Sequence, residues 1–575
     1  MKAKETFTPV QRFWLLLKPN KQEIRQVYAF AIINGVVALS LPLGIQSIIN
    51  LIQGGQVSTS WILLVVLVLL GILFGGILQI MQLRITENLQ QSIFTKAAFE
   101  FTYRIPKVKL KELYNDYAPE LMNRFFGIPI VQKGLSKILI DFSTSVFQIF
   151  LGLLLLSLYH PFFIAISIVL AAMSFLIFRL YGQIGLDTSL VESKRKFTVA
   201  HWLEEVAKSN KTFKLAGNTN LQYKKTDEYV SNYLNAREKH FEVLKSHYFW
   251  MIAFKVVVAG LLLVIGGLLV INQQMNIGQF VAAELIILLI LGSVEKLILS
   301  LETIYDVLSS LEKVGQVTDM ELENENGTEI INDEKKEAIS IELKSVSFSY
   351  HPEGKANLSK LSFKVNAGEK IMIAGNNGSG KTTLLNLLVG LEETESGSIC
   401  YNGLPIANYK LSSLRNSIGT CFTGTSLFHG TLHENISMGK QEIKTEDILV
   451  AVEAAGLEEN IKQLPKGLDT VVLPDGKTFS QSTIQKINIA RALAGKSKFL
   501  LIDECINAIE KNEREKILTR ILSCENSSTV LIVSASSFVA NLCDKVLLLE
   551  NGHLKAFDSF KNIKQELIKI TDQNA

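Results

Sequence analysis

The chain has 575 residues, too many for one hydrophobic core, so at least two domains are expected. Hydrophobic residues make up 48% and mean hydropathy is +0.25, high for a soluble protein. The formal charge of +3 is near balance and leaves no electrostatic footprint for nucleic acid.

In chain order, Lys2, Lys4, Arg12, Lys18, Lys21 and Arg25 precede the first apolar run. No A-x-A-like cleavage site follows that run, so it reads as retained. Six spans are predicted, at about 27–51 (interrupted by Pro42), 61–80, 143–158, 161–178, 251–271 and 280–301. Each is near the ~20 residues that cross a bilayer, the third and fourth being short. The segments 53–60, 159–160 and 272–279 lack Lys and Arg, whereas the two long connections, about 81–142 and 179–250, are rich in them. The positive-inside rule puts both termini and both connections in the cytoplasm. Each connection reads as helical extensions of the spans, bent near Leu110–Pro119 and near Thr212–Asn220, where Gly217-Asn218 is a helix stop. Trp61 and Trp250 read as interfacial anchors. Glu284 lies inside the sixth span. Such an acid either lines a substrate path or makes a polar contact between helices, and Glu295 and Lys296 on the same helix keep the second reading open.

The sixth helix is expected to run on to about 316. A polar linker, 317–338, follows and includes Asn332-Asp333-Glu334-Lys335-Lys336. The expected boundaries are therefore 1–26 for an N-terminal segment, 27–316 for a membrane domain, 317–338 for the linker and 339–575 for a second domain. The five cysteines, Cys400, Cys421, Cys505, Cys524 and Cys543, all lie after the spans. Their spacing suits neither zinc nor a disulfide framework, so reduced buried thiols are expected.

The second domain opens with an alternating strand at 339–350. A short apolar strand, 370–374, then leads into Gly375-Asn376-Asn377-Gly378-Ser379-Gly380-Lys381-Thr382-Thr383, followed by an apolar helix. This is G-x-x-x-x-G-K-[ST] in the strand–loop–helix context it needs. The glycines let backbone N–H groups surround phosphate oxygens at a helix N-terminus, Lys381 reaches the β- and γ-phosphates, and Thr382 holds Mg²⁺. Further on, the apolar strand Lys498–Ile502 ends in Asp503 and Glu504. Asp503 can hold Mg²⁺ through water, and Glu504 can orient and deprotonate an attacking water.

Spans, long cytoplasmic excursions and the two nucleotide motifs together resemble an ABC exporter half-transporter over nearly the whole length. Gly278–Ala282, Ser310–Val314, Leu427–Ile436 and Ile489–Leu493 match further stretches of that family. Glu120–Phe126 looks most like the hemolysin-type type I secretion branch, and about 26 residues before the first span leave no room for a peptidase domain. The resemblance implies a type IV ABC exporter fold: an all-α six-helix transmembrane domain followed by an α/β P-loop ABC ATPase domain, in a bacterial inner membrane. It implies ATP and Mg²⁺ as cofactors. It implies a second half-transporter, identical or not, as partner, with the bilayer and a periplasmic adaptor protein. It assigns Tyr350 to stacking on adenine, the two bends to coupling helices, and Ser480 to the signature that closes over the opposing chain's nucleotide.

The departures from the family pattern are specific. The signature L-S-G-G-Q reads Phe479-Ser480-Gln481-Ser482-Thr483, on an expected helical insertion. The Q-loop glutamine falls at Thr423, the switch histidine at Ala535, and the D-loop reads Asn507-Ala508-Ile509-Glu510. Glycines at a helix N-terminus let backbone approach the γ-phosphate, and Gln481 and Ser482 fill that space. Alanine at 535 can neither bond phosphate nor hold water. Losing one charge-stabilising donor costs ~2.7–4 kcal/mol of barrier. Two functions follow from the sequence: a half-transporter exporting a substrate, polypeptide by the Glu120–Phe126 resemblance, with slow or partner-dependent hydrolysis; or an ATP-binding, largely non-hydrolysing scaffold subunit.

Overall fold

The computed structural model describes residues 7–53, 59–114, 118–159, 161–330, 338–351, 354, 356–523 and 528–573, apart from side chains within 166–181 and 567–573. The chain forms two compact units, 1–108 with 112–321, and 109–111 with 322–575.

The regular elements described in the first unit are helices, because an α-helix satisfies every backbone polar group within the segment and so suits lipid. It begins with α1 (Pro9–Leu17), capped by Thr8. The first predicted span divides at Leu39 into Lys21–Ala38 and Ser40–Gln53. Pro42 sits in the first turn of the second piece, where its missing N–H has no intrahelical acceptor to lose. α2 (Thr59–Arg104), α3 (Pro161–Lys208), α4 (Leu221–Leu261) and α5 (Ile277–Thr318) are 46, 48, 41 and 42 residues long. At 1.5 Å per residue they reach ~60–70 Å, about twice a hydrocarbon core, so each carries an extension beyond it. The bends fall where the sequence predicts. A 3₁₀ turn at Leu110–Leu113 and a short helix at Ala118–Met122 form one, and Asn210–Leu215 followed by Gly217 at φ +69° forms the other.

Among the described residues, five helical stretches are long and apolar enough to cross a membrane. The fourth predicted span begins α3, whose side chains within 166–181 lie outside the described residues.

α5 is the core of this unit, and it starts with a reciprocal cap in which Asn276 and Gln279 each accept from the other's backbone N–H. Ile286, Ile287, Ile290 and Val294 pack against Phe254 and Val258 of α4. Two glycines allow close helix approach. A Cβ on Gly134 would lie 2.2 Å from Val307, and one on Gly315 2.3 Å from the Arg12 guanidinium carbon. Arg12 bonds Asp319 at 2.8 Å and Glu312 at 3.3 Å, tying α1 to α5. Lys255 of α4 and Glu295 of α5 form an ion pair at 2.5 Å. Glu284 has no hydrogen-bond or ion-pair partner among the described residues.

Among its described residues the second unit contains two large sheets and a two-stranded ribbon of Gly430–Thr431 with Val471–Val472. One is antiparallel, with β1 (Ile341–Phe348) between β2 (Leu358–Val365) and β4 (Ser396–Tyr401). The other uses β3 (Lys370–Gly375), β5 (Ile418–Cys421), β6 (Phe499–Ile502), β7 (Thr529–Val533), β8 (Lys545–Glu550) and β9 (His553–Asp558). Its order is β9-β8-β3-β7-β6-β5, parallel except for β9. Central strands buried on both faces read as continuous apolar runs, as Leu500–Ile502 and Val530–Val533 do. The buried Thr529 hydroxyl accepts from Gly368 N–H and donates to Ile339 C=O, joining the two sheets' entry points. Of the expected linker, 317–321 belong to the first unit and 322–330 are fastened to this one. Glu323 makes a two-pronged pair with Arg415, Glu325 accepts from Ser412, and Thr328 bridges Tyr409.

The cysteine expectation is corrected. Cys421 and Cys505 are disulfide-bonded, with Cα atoms 6.3 Å apart. They are 84 residues apart in sequence. The pairing arises because β5 lies beside β6, a neighbour relation that linear spacing does not carry. Cys400 and Cys543 are free, with burial pushing the Cys543 thiol up to about 12. Cys524 lies outside the described residues.

Candidate functional site

The site forms at the carboxyl ends of β3 and β6, the usual place for ligands on a parallel sheet. β3 leaves the sheet through Gly375–Gly380 and enters α6 (Lys381–Leu388). Gly378 and Gly380 have φ of +78° and +99°, the left-handed region that costs glycine least. A Cβ at Gly380 would lie 2.6 Å from Leu358. The first N–H groups of α6, from Lys381 to Thr383, have no acceptor within the helix itself and offer an anion a positive helix end.

Lys381 Nζ folds back over this loop, donating to the carbonyls of Gly375 at 2.9 Å and Asn376 at 3.1 Å, and lies 4.0 Å from Glu504 Oε1. Ser379 is 3% exposed, and its Oγ has no hydrogen-bond partner among the described residues. Such a group costs ~1–3 kcal/mol until something satisfies it. A phosphate oxygen is a chemically matched acceptor. Asn377 is exposed at the loop tip.

Asp503 is buried at the end of β6, its N–H donating to Cys421 C=O at 2.9 Å. Its Oδ2 accepts from Thr382 Oγ1 and Thr423 Oγ1, both at 3.2 Å. A carboxylate flanked by hydroxyls is a hard oxygen set of the kind Mg²⁺ takes alongside phosphate and water. Glu504, next in sequence, has a side chain 43% exposed and open to solvent. The Tyr350 hydroxyl lies 3.3 Å from Thr383 Oγ1, and its ring meets Phe348 edge-on at 4.9 Å. The orphaned Ser379 hydroxyl, the glycine cradle and the shared Asp503 oxygen fit Mg-ATP.

Thus the fold brings together the P-loop, Tyr350, Thr423, Asp503 and Glu504. Ser480 sits elsewhere, as the cap of α7 (Gln481–Ala494), where its Oγ accepts from Thr483 N–H at 3.1 Å. Gln481 and Ser482 form the first turn beyond it. Ala535 is exposed, two residues past β7. Sequence reasoning missed the Cys421–Cys505 bond beside the site. It also did not foresee the hydrogen bond from the Thr423 hydroxyl to Asp503.

Residues 27–294 match the family described as "ABC transporter transmembrane region", and residues 358–507 match that described as "ABC transporter". The chain carries the two domains of an ABC transporter. It is an integral membrane protein, and its ATPase domain is of the kind that binds ATP with Mg²⁺. A bacterial Atm1-family ABC exporter solved with ATP bound aligns over 96% of this chain and 98% of its own, with a TM-score of 0.81 and 19% identity, which shows a shared fold. The ATP-dependent lipid A-core flippase of Haemophilus influenzae is 30% identical over 251 residues, 44% of this chain and 42% of the relative. The mitochondrial iron-sulfur clusters transporter ATM1 of Saccharomyces cerevisiae is 31% identical over 295 residues, 51% and 42% of the two chains. This chain spans about half the length of the curated relatives it matches.

Proposed function

We propose that this chain is half of an ABC exporter that pairs with a second half-transporter, the same chain or another, in a bacterial inner membrane. In this reading it has six spans with both termini cytoplasmic, and it exports an amphiphile with slow or partner-dependent ATP hydrolysis. The observation that carries the reading is the joining, in one chain, of a membrane-spanning helical unit to a P-loop site built around Asp503. Loop 375–383 would hold the triphosphate, Thr382 and Asp503 the Mg²⁺, Tyr350 the base, and Ser480 the nucleotide of the opposing chain. Bound Mg-ATP supplies a phosphoanhydride whose cleavage drives a transport cycle. Glu504, open to solvent, takes the proton of the attacking water, and Lys381 leaves its loop carbonyls to neutralise phosphate charge. Ala535, Gln481 and Ser482 supply no such help, which is why turnover is expected to be slow.

The relatives reported above are named for lipid A-core and for iron-sulfur clusters. They favour a non-peptide substrate. The Glu120–Phe126 stretch, on which a polypeptide substrate and an adaptor protein rest, serves to hold local structure. Arg124 pairs with Glu120 at 2.7 Å and Gln316 at 3.1 Å, and Asn123 bonds Glu204 at 2.9 Å.

The test is the ATPase rate of the purified chain in lipid discs, alone and with a half-transporter that has an intact signature and switch histidine. Activity is expected to rise at least tenfold with that partner and to vanish with Glu504→Gln. Brisk hydrolysis by the chain alone, abolished by Glu504→Gln yet indifferent to Ala535→His, would overturn the impaired-site reading. No turnover in any pairing, with ATP binding retained, would favour a scaffold subunit.

A further inference from the structure

Cys421 ends β5, and Cys505 follows the two acids that end β6. In the β5–β6 ladder Cys421 stands opposite Ile502. Cys505 comes three residues later, returned toward β5 by the turn at 504–509. The 6.3 Å between their Cα atoms lies within the ~4.4–6.8 Å that a disulfide spans without moving backbone.

The bond lies beside the site's oxygens. Glu504 adjoins Cys505, and Thr423 lies two residues beyond Cys421. Asp503, on the Cys505 segment, is held twice to the Cys421 segment, by its N–H to Cys421 C=O and by its carboxylate to Thr423. Both cysteines are buried, at 1% and 3% exposure, yet the neighbouring Glu504 side chain is 43% exposed, so solvent reaches within one residue of Cys505. The unit is read as cytoplasmic, where dithiols are kept reduced and the disulfides that do form are transient or redox-sensing.

We propose that Cys421 and Cys505 are a reversible dithiol–disulfide modification site, oxidised by a low-molecular-weight disulfide, whose closed form restrains Thr423, Asp503 and Glu504 and slows nucleotide turnover at this chain's P-loop. The regulatory half rests on the Mg-ATP reading of that loop. In the reaction, one cysteine thiolate attacks a sulfur of the small disulfide, breaks its S–S bond and expels one small thiolate. The second cysteine thiolate then attacks the protein sulfur of the mixed disulfide and expels the other. Two protein thiols lose two protons and two electrons, and the small disulfide becomes two thiols. Accepting Mg²⁺ and aiming water both require these two segments to adjust against each other, and a covalent tether beside them removes that freedom.

The test uses the full chain with Cys400, Cys524 and Cys543 replaced by serine, in lipid discs, equilibrated across ratios of reduced to oxidised glutathione. Non-reducing peptide mapping is expected to show a 421–505 cross-link with no glutathione retained. ATPase rate or affinity for a fluorescent Mg-nucleotide is expected to change at least fivefold between the closed and dithiothreitol-reduced forms. Cys421→Ser and Cys505→Ser are each expected to abolish that response. Absence of the cross-link at every ratio overturns the proposal, as does a cross-link that leaves both readouts within twofold. A cross-link in a chain that binds no nucleotide in either state overturns the ATP reading and its regulation, while the thiol chemistry stands.

Discussion

The Thr423 hydroxyl donates to Asp503 Oδ2 at 3.2 Å, the oxygen that also accepts from Thr382. If Thr423 helps place the carboxylate for Mg²⁺, Thr423→Val should weaken Mg-ATP binding about three- to tenfold, the ~0.7–1.4 kcal/mol of one hydrogen bond. ATP binding in EDTA should be unchanged. Asp503→Asn should remove the Mg²⁺ dependence altogether. Titration of a fluorescent nucleotide with and without Mg²⁺ reads both effects.

Ser379 gives the opposite pattern. Its buried Oγ lacks a partner, so Ser379→Ala removes an unsatisfied group. The apo protein should melt at the same temperature or slightly higher, by up to ~1 kcal/mol of added stability. The increase in melting temperature on adding Mg-ATP should shrink. A thermal shift series with and without nucleotide checks both halves.

Glu369 sets a pH dependence in the second unit. Burial raises its carboxyl, but Lys545 and Asn366 outweigh that and hold it below the usual range. A carboxyl lowered in the folded state adds stability above its unfolded pKa and loses it as pH falls through its folded pKa. Glu369→Gln should therefore lower the melting temperature at pH 7, by less than ~1 kcal/mol of stability because solvent screens this partly exposed pair. The difference from wild type should close in acid as the native carboxyl protonates.

Gly315→Ala should cost ~1–3 kcal/mol, because the new Cβ would meet the Arg12 guanidinium that Asp319 and Glu312 hold in place. Arg12→Ala in the same chain should recover part of the loss. A double-mutant cycle on thermal stability would show the coupling, and strict additivity would refute it.

Elements with a strong local signal were legible in the sequence. The P-loop, the β6 strand with its two acids, the Pro42 break and the Gly217 bend each depend on residues adjacent in the chain. What could not be read depends on neighbours far apart in sequence. Cys421 meets Cys505 because β5 and β6 are sheet partners, and Thr423 reaches Asp503 for the same reason. Arg12 meets Asp319 only when α1 folds against α5. Glu323, Glu325 and Thr328 read as polar linker because nothing in their order announces Arg415, Ser412 and Tyr409 as partners. The polar contact between helices that the sequence left open for Glu284 is not made among the described residues; the pair that forms is Lys255–Glu295, which nothing in the residue order announces.

That ion pair has an electrical consequence. The apolar stretches 251–271 and 280–301 contain four ionisable residues, Lys255, Glu284, Glu295 and Lys296, whose formal charges sum to zero. Moving one charge through a membrane potential involves about 2.3 kcal/mol per 100 mV, but a neutral set displaced together involves none. If these two helices shift as a body, a membrane potential does no net work on their charges.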